Sequence, residues 1–257
     1  MIYRFVILVL ALLAVRAHGD LSRGPYLQLA REDGITIVWR TGRAMSSPEV
    51  RFGKVGGELD IVCRGKAILR RTTTSEAPLS KAPDGTVQYE ATISGLATGT
   101  AYAYAIHDGD KVLASGDDLI FRTHPPAGVS TPTRIWVVGD SGTGKEHQQM
   151  VHEAMRRYIV QADRGLDLYL HVGDMAYGQG TDAQFQSHFF EPYEATLRNT
   201  VCWASMGNHE GRSSEGLTGT GPYYDAYVCP TQGEAGGVPS GLEAYYSFDY
   251  GDIHLIC

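Results

Sequence analysis

The chain has 257 residues, of which 43% are hydrophobic and 20% are charged, a balance typical of a globular protein of one or two domains and not of a fibrous or disordered chain. Acidic residues outnumber basic ones by 29 to 22, which gives a formal net charge of -7. Because binding to duplex nucleic acid depends on clustered Lys and Arg, this charge argues against a nucleic-acid partner.

Residues 1–19 have the pattern of a secretory signal sequence. Arg4 precedes an uninterrupted apolar run over residues 5–15, and Ala17 and Gly19 supply the small residues that signal peptidases read. A membrane anchor is the alternative, but this run is short against the roughly 20 residues that cross a bilayer. The sequence therefore predicts a secreted or periplasmic protein with no membrane contact once the signal is removed.

Residues 20–123 are predicted to form an all-β domain. Apolar or aromatic residues alternate with polar or small ones in several short stretches, which clusters of Gly, Pro, Asp and Ser separate. The clearest stretches are residues 34–40, 49–52, 88–93 and 101–106. They predict a sandwich of about seven strands. Its role would be packing, dimerisation or shaping one wall of a cleft, so a homodimer is among the arrangements it allows.

A linker is predicted at residues 124–133. Pro125, Pro126 and Pro132 lie there among small and polar residues, and prolines interrupt both helices and strand ladders. His124 has no neighbour of metal-ligand type in this segment. We predict that its side chain is exposed to solvent.

Residues 134–257 alternate between strand and helix patterns. Strands are predicted at residues 134–138, 167–172 and 200–206. A first helix ends before Gly165, and a second covers residues 182–198, where Pro192 should shorten or kink it. The predicted apolar face of the first helix consists of Met150, Val151, Ala154, Met155, Tyr158 and Ile159. The order β-α-β-α-β predicts a largely parallel sheet with helices on its faces.

A glycine-containing turn follows each of these strands. The turns are Gly139-Asp140-Ser141-Gly142, Gly173-Asp174-Met175-Ala176-Tyr177 and Gly207-Asn208-His209-Glu210. Parallel strands joined by helical crossovers end at the same edge of the sheet, where ligands bind. Neighbouring strands lie roughly 4.8 Å apart and paired catalytic metals about 3.5–4 Å apart, so one carboxylate can bridge two ions. The spacing therefore predicts a two-metal hydrolase site.

These turns resemble the first three motif blocks of the calcineurin-like metallophosphoesterases. Tyr177 follows Asp174 by three residues, and residues 96–104 resemble the turn and tyrosine corner of fibronectin type III domains, which together make the chain similar to the purple acid phosphatases. The resemblance implies an N-terminal all-β fibronectin type III-like sandwich followed by an α/β metallophosphoesterase domain. It also implies an acid phosphatase that hydrolyses small phosphomonoesters through attack by a metal-bound hydroxide.

The resemblance also assigns roles to residues of the turns. It implies that Asp140 binds a ferric ion, that Asp174 bridges this ion and a divalent zinc, manganese or iron ion, and that Tyr177 is a phenolate ligand. Asn208 would bind the divalent ion through its amide oxygen. His209 would contact the phosphate rather than a metal, to stabilise the transition state or protonate the leaving group. Beside it, the carboxylate of Glu210 is predicted to orient the imidazole.

The sequence departs from the family pattern after the third turn. That pattern continues with a lone histidine after another strand and then a Gly-His-x-His block, which supply three imidazole ligands, and neither occurs up to Cys257. We therefore expect a fragment of a longer protein with an incomplete metallophosphoesterase domain, weak metal binding and little turnover. A decayed, inactive relative is the alternative.

Two other functions compete with this hypothesis. Residues 139–145 match the Gly-x4-Gly-Lys core of a phosphate-binding loop between a strand and a helix. Glu146, however, occupies the position where Ser or Thr would bind magnesium, and Asp140 would place negative charge beside the nucleotide phosphates. The remaining hypothesis is a non-catalytic binding module, in which the β domain acts and the second domain retains a relic site.

The cysteines and the other histidines carry weaker signals. Cys63, Cys202, Cys229 and Cys257 allow three fully paired disulfide connectivities. We favour the pair Cys202–Cys229, which flanks the third turn, with free buried thiols as the alternative.

Four further histidines are placed by their predicted elements. His171 lies in the strand before Asp174 and is predicted to pack in the core or to support the site. His147, His152 and His188 fall on predicted helices, and we expect them to be solvated.

Overall fold

A computed structural model describes residues 21–68, 81–162 and 164–257 of the chain. The predicted signal sequence, residues 1–19, lies outside the described residues. None of the described helices combines the length and the apolar character that a membrane crossing requires.

Nine antiparallel strands form the first half of the described chain. They are β1 (Leu21–Arg31), β2 (Gly34–Thr41), β3 (Pro48–Lys54), β4 (Ile61–Arg64), β5 (Lys66–Ile68), β6 (Val87–Ile93), β7 (Ala101–Asp108), β8 (Lys111–Ala114) and β9 (Ile120–Arg122). One sheet has the order β1-β2-β6-β5, and the other has the order β4-β3-β7-β8 with β9 paired to β7. The predicted all-β sandwich is confirmed. It has more strands than expected because β5 and β9, with three residues each, are too short to show alternation.

An apolar core lies between the two sheets of this sandwich. All eight residues of β2 are buried, and Trp39 of β2 stacks on Tyr89 of β6 with ring centroids 5.5 Å apart. The hydroxyl oxygen of the buried Tyr102 accepts a hydrogen bond from the backbone N–H of Ala97 at 3.0 Å. This contact ties β7 to the turn before it, as the tyrosine corner of fibronectin-like domains does.

The second half contains a parallel sheet of three strands. They are β10 (Ile135–Val138), β11 (Leu168–His171) and β12 (Cys202–Ala204), in that spatial order. Their last residues, Val138, His171 and Ala204, are in register, so the chain leaves all three strands at one edge. The predicted α/β class and parallel sheet are confirmed. An antiparallel hairpin of β13 (Ser247–Tyr250) and β14 (Ile253–Ile256) follows later in the chain.

The described α-helices are α1 (Glu146–Gln161), α2 (Asp182–Phe185), α3 (Glu191–Leu197) and α4 (Pro222–Ala226). The helix predicted over residues 182–198 is divided, because a π-helical turn, Gln186–Phe190, separates α2 from α3. Pro192 stands in the first turn of α3. Proline has no N–H to donate, and the start of a helix is the position that tolerates this loss.

The buried face of α1 is not the predicted apolar face. Gln148 and His152 are the buried residues of this helix, whereas Met150, Val151 and Tyr158 are 53%, 55% and 62% exposed. The predicted packing face is therefore wrong. Helical spacing identifies which residues share a face, but it does not say which face meets the sheet.

His152 shows what holds α1 in place. Its ring stacks on Trp136 of β10 with centroids 5.8 Å apart, and its Nε2 atom forms a 2.7 Å hydrogen bond with the hydroxyl of Thr196. Burial lowers the pKa of His152 to about 4. The prediction that His152 is solvated is wrong, and His188 is half-buried rather than fully solvated.

A buried ion-pair cluster joins the sandwich to the α/β half. Arg40 of β2 donates two hydrogen bonds to the carboxylate of Asp182, at 2.8 and 2.6 Å, and Arg23 of β1 donates a third at 3.3 Å. All three side chains are at most 5% exposed. Burial, and next the charge of Arg40, lowers the pKa of Arg23 to about 10. A cavity of about 500 Å³ adjoins this cluster between β1, β8 and α3.

The segment after the sandwich packs against the protein. His124 is buried, its Nδ1–H donates to the carbonyl of Asp249 at 3.0 Å, and its ring centroid lies 4.9 Å from that of Tyr250. Burial lowers the pKa of His124 to about 4. The prediction of an exposed His124 is wrong, because the β13–β14 hairpin, more than a hundred residues later, covers it.

All four cysteines lie in the described residues, and each is a free thiol. Cys202 and Cys229 are both buried, and burial raises the pKa of the Cys202 thiol. The favoured Cys202–Cys229 disulfide is therefore wrong, and the alternative of free buried thiols describes both residues.

Candidate metal centre

The three glycine-containing turns meet where β10, β11 and β12 end. The backbone N–H of Asp140 donates to the Gly173 carbonyl at 3.0 Å, and that of Gly142 donates to the Asp174 carbonyl at 3.0 Å. In the opposite direction, the N–H of Tyr177 donates to the Gly142 carbonyl at 2.9 Å. The first two turns are thereby joined backbone to backbone.

Two glycines allow the turns to approach this closely. A Cβ atom at Gly142 would lie 2.0 Å from the carbonyl carbon of Met175, between the first and second turns. A Cβ atom at Gly207 would lie 2.2 Å from the backbone nitrogen of Asp174, between the second and third. Any side chain at either position would push the turns apart, so both positions require glycine.

The two predicted metal-binding aspartates have an uncommon backbone conformation. The φ angles of Asp140 and Asp174 are 53° and 55°, in the left-handed region that few residues other than glycine adopt. Aspartate tolerates this region better than most residues because its short side chain can bond locally. Such conformations concentrate at functional sites, where the surrounding structure holds them in place.

The side chains of the first two turns are in direct contact. The Tyr177 hydroxyl donates to Asp140 Oδ1 at 2.9 Å, and the Tyr177 ring meets the His209 ring edge to face with centroids 4.4 Å apart. Asp174 Oδ1 accepts the backbone N–H of His209 at 3.1 Å. The structure thus brings Asp140, Asp174, Tyr177 and His209 into one cluster at the edge of the sheet.

The environment of Tyr177 opposes its ionisation in the absence of a cation. Desolvation raises the pKa of Tyr177, and so do its hydrogen bond to Asp140 and the charges of Asp140 and Asp174. A phenolate next to two carboxylates would add a third negative charge. A bound cation reverses this effect, since it favours every anionic group around it.

The imidazole of His209 is fixed through one nitrogen. Its Nδ1–H donates to the Gly178 carbonyl at 2.7 Å, and the same carbonyl accepts a 2.8 Å hydrogen bond from the guanidinium of Arg212. Because Nδ1 is bonded to this carbonyl, Nε2 is the ring nitrogen that can contact a ligand. Asn208 precedes His209 and is exposed. Of the predicted site residues, it alone forms no side-chain hydrogen bond or ring contact with the others within the described chain.

Glu210 does not orient His209, so that prediction is wrong. The Glu210 side chain is fully buried and accepts three backbone N–H groups, from Asp174 at 2.9 Å, Ala176 at 2.9 Å and Gly207 at 3.0 Å. The carboxylate therefore faces the backbone of the turns rather than the neighbouring imidazole. Sequence spacing contains no signal for this, because two of the three donors lie more than thirty residues earlier.

A partly buried chain of hydrogen bonds lies beneath the first turn. The Ser141 hydroxyl is 2.9 Å from His171 Nε2 and accepts the hydroxyl of Tyr193 at 2.9 Å. Burial lowers the pKa of His171 to about 4, although the charges of Asp140 and Asp174 act in the opposite direction. His171 is therefore both a core residue, as one prediction has it, and a support for the first turn, as the other has it. Ser141 and Tyr193 were not predicted as site residues.

The donor set decides whether metal ions fit this cluster. No group of three or more His, Cys, Asp and Glu side chains suited to a metal occurs among the described residues. The clustered donors are instead the carboxylates of Asp140 and Asp174 and the phenol of Tyr177, and Asn208 is exposed in the third turn. Hard oxygen donors of this kind suit Fe(III) and other hard cations. The residues present therefore fit the oxygen-rich part of a metal centre.

The geometry of residues 139–145 contradicts a nucleotide-binding loop. Such a loop holds phosphate with free backbone N–H groups. Besides those of Asp140 and Gly142, the N–H of Gly144 donates to Gln148 Oε1 at 2.8 Å, and that of Lys145 donates to the Thr143 hydroxyl at 3.2 Å. These N–H groups already have protein acceptors, so the loop has few donors left for a phosphate.

Comparisons with known proteins divide the chain in the same way. Residues 23–123 match the family model of the purple acid phosphatase N-terminal domain, and residues 133–254 match that of the calcineurin-like phosphoesterases. No curated protein sequence gives a significant match.

Ten chains of solved structures match the fold significantly. One is a purple acid phosphatase from seeds of yellow lupin (Lupinus luteus), with a TM-score of 0.69 and 19% sequence identity. The match covers 90% of this chain and 43% of the lupin chain. The chain thus spans less than half the length of the lupin protein, and at this identity the likeness establishes the fold.

Proposed function

Because this chain belongs to the purple acid phosphatase family, with that family's N-terminal domain followed by a calcineurin-like phosphoesterase domain, we propose that it contributes part of a binuclear metal centre that hydrolyses phosphomonoesters. The observation that carries the proposal is the contact of Asp140, Tyr177 and His209 at the carboxyl edge of the parallel sheet. This contact places a carboxylate, a phenol and an imidazole beside a second, buried carboxylate, that of Asp174.

In this proposal the oxygen donors hold the metals. Asp140 and Tyr177 would hold Fe(III), Asp174 would serve both ions, and Asn208 would hold a divalent zinc, manganese or iron ion. The ions supply Lewis acidity toward the phosphate oxygens and the attacking water. The Tyr177 hydroxyl, which donates to Asp140 Oδ1 at 2.9 Å, would have to lose its proton to serve as a phenolate ligand.

His209 acts on the substrate in this proposal. With Nδ1 bonded to the Gly178 carbonyl, Nε2 is the nitrogen that can hydrogen-bond to a phosphate oxygen or protonate the leaving alcohol. The Tyr177 ring, in edge-to-face contact, limits rotation of the imidazole. His209 is therefore the catalytic residue, and its geometry is set before any substrate arrives.

The finer features of the function are proposals as well. Small phosphomonoesters are the substrates, the signal pattern in residues 1–19 directs the protein to a secreted or periplasmic location, and the sandwich offers a surface for a homodimer. A non-catalytic module with a relic site is the competing function, and it predicts that the cluster binds no metal.

A titration with Fe(III) tests the proposed centre without depending on turnover. We expect a visible charge-transfer band from the Tyr177 phenolate, which Tyr177→Phe removes. Tyr158→Phe is the matched control, because Tyr158 is 62% exposed on α1 and away from the turns, and it should retain the band.

Two results would count against the proposal. If no visible band forms in the unmodified chain, the relic hypothesis is favoured. If the band survives in Tyr177→Phe, then Tyr177 is not a ligand and the assignment of the ferric site is incorrect.

A further inference from the structure

Glu210 is a buried carboxylate whose charge has no Lys or Arg partner in the described part of the chain. Its side chain has 0% exposure, and it forms no ion pair with any Lys or Arg of the described residues. Burying a charge is costly unless hydrogen bonds compensate for the lost hydration. Three backbone N–H groups provide this compensation, at 2.9, 2.9 and 3.0 Å.

The three donors belong to two different turns. Asp174 and Ala176 are in the second turn, and Gly207 is in the third. Oε2 accepts from both Asp174 and Gly207, so a single oxygen atom bridges the turns. A Cβ atom at Gly207 would lie 2.8 Å from that oxygen, which shows how closely the carboxylate is enclosed.

The geometry requires an acceptor with two oxygens. A glutamine has the same shape, but one of its two terminal groups is an NH2 that would face a backbone N–H. At least one of the three donors would then lose its acceptor in a buried site, where an unsatisfied donor is costly. An aspartate is shorter by one methylene group and could not reach both turns from the same backbone position.

We infer that Glu210 is a positioning residue for the metal centre, acting through the backbone of Asp174 and Gly207. It holds the left-handed Asp174 and the turn that carries Asn208 and His209 at a fixed separation. The inference rests on the proposed function, because the geometry it maintains is that of proposed ligands to both metals. It differs from a purely structural role in that removal of the carboxylate should weaken metal binding more than folding.

The test compares Glu210→Gln with Asp182→Asn by Mn²⁺ titration calorimetry and amide hydrogen exchange. Asp182 is the matched control, since it is also a buried carboxylate but lies at the domain interface. Glu210→Gln should lower Mn²⁺ affinity by about 10–100-fold, the usual loss when a group supporting a metal ligand is removed. Exchange should accelerate at the amides of Asp174, Ala176 and Gly207. Asp182→Asn should lower the unfolding midpoint and leave both readouts unchanged.

The outcomes separate this inference from the proposed function. If the unmodified chain binds no Mn²⁺ and no Fe(III), the proposed function fails and the metal role of Glu210 fails with it. If the unmodified chain binds Mn²⁺ and Glu210→Gln binds it equally well, only the inference about Glu210 is overturned.

A measurement on the unmodified chain covers the case in which Glu210→Gln does not fold. The amides of Asp174, Ala176 and Gly207 should exchange at similar rates, and Mn²⁺ should slow all three together. Independent exchange of the three amides, or an effect of Mn²⁺ on Asp174 alone, would overturn the inference.

Discussion

The domain interface and the edge of the parallel sheet each contain a buried carboxylate, and the two are held in opposite ways. Asp182 at the interface accepts hydrogen bonds from the guanidinium groups of Arg23 and Arg40. Within the described residues, Glu210 at the sheet edge accepts only backbone N–H groups. The partners show what each carboxylate holds together, because side-chain cations join two domains whereas backbone donors join two turns.

The two regions also differ in what they leave for a ligand. At the interface, the guanidinium groups of Arg23 and Arg40 both donate to the carboxylate of Asp182, so these charged groups are bonded to one another. At the sheet edge, Glu210 accepts three backbone N–H groups of the turns, and the Asp140 carboxylate and the Tyr177 phenol bond to each other rather than to the backbone. A polar group that is not required for folding is free to bind a metal or a substrate.

The largest expected effect is at the interface. Asp182→Ala removes the carboxylate and leaves Arg23 and Arg40 buried without their shared partner. Breaking a buried ion pair by removing one member costs about 3–5 kcal/mol, so urea denaturation should show a loss of this size in the free energy of unfolding. Asp33→Ala is the control, since its ion pair with Arg31 is on the surface, where such pairs contribute roughly 0–1 kcal/mol. Equal effects of the two substitutions would mean that the interface is hydrated and the comparison is invalid.

The next effect is a pH dependence of the free energy of unfolding. It comes from His124, where the segment after the sandwich packs against the β13–β14 hairpin. Burial lowers its pKa from 6.5 to about 4, so the unfolded chain binds the proton first as the pH falls. Its contribution to stability is complete above pH 6.5 and is lost as the pH falls toward 4. The shift corresponds to about 3 kcal/mol.

Denaturation at several pH values between 7 and 4 would measure this contribution. In His124→Gln the free energy of unfolding should fall less steeply with pH than in the unmodified chain. His147→Gln, at an exposed position on α1, should leave the slope unchanged. Parallel slopes for His124→Gln and the unmodified chain would show that His124 is not buried in solution.

The smallest effect tests the sheet edge. Gly207→Ala places a Cβ atom 2.2 Å from the backbone nitrogen of Asp174, which should separate the second and third turns and break the hydrogen bond between Asp174 and His209. Overpacking of this kind costs about 1–3 kcal/mol. Thermal unfolding should register this loss, with Gly211→Ala as the control, because a Cβ atom at Gly211 meets nothing within 4 Å. Wild-type stability of Gly207→Ala would mean that the turns are not in close contact.

The three parallel strands and the turns that follow them could be predicted because both depend on short-range patterns. A β-branched run followed by Gly-Asp indicates a strand and the turn that ends it, and crossover helices make successive strands parallel. From this it follows that Asp140, Asp174 and His209 lie near one another. The roles of these residues as ligands or catalyst stay predictions, which the Fe(III) and Mn²⁺ titrations test.

The errors concern partners that are distant in sequence. His124 was expected in solvent, but Asp249 and Tyr250 cover it. The apolar face of α1 was expected to pack on the sheet, but His152 makes that contact instead. In each case the local pattern contained no information about the distant residue that covers or contacts the side chain.

The amino-acid sequence by itself determined the two-part architecture, the parallel sheet and the placement of ligand-type side chains at its carboxyl edge, because backbone periodicity and turn chemistry act within a few residues. Only the tertiary structure decided that Glu210 serves the backbone rather than His209, that Asp182 serves two arginines, and which apolar faces are covered. Those outcomes depend on hydrogen bonds and burial between residues far apart in sequence, as the pairs Glu210–Ala176 and Arg40–Asp182 show, with separations of 34 and 142 positions. At such separations, the hydrogen-bond partner is determined by how the chain folds and not by the spacing of residues in the sequence.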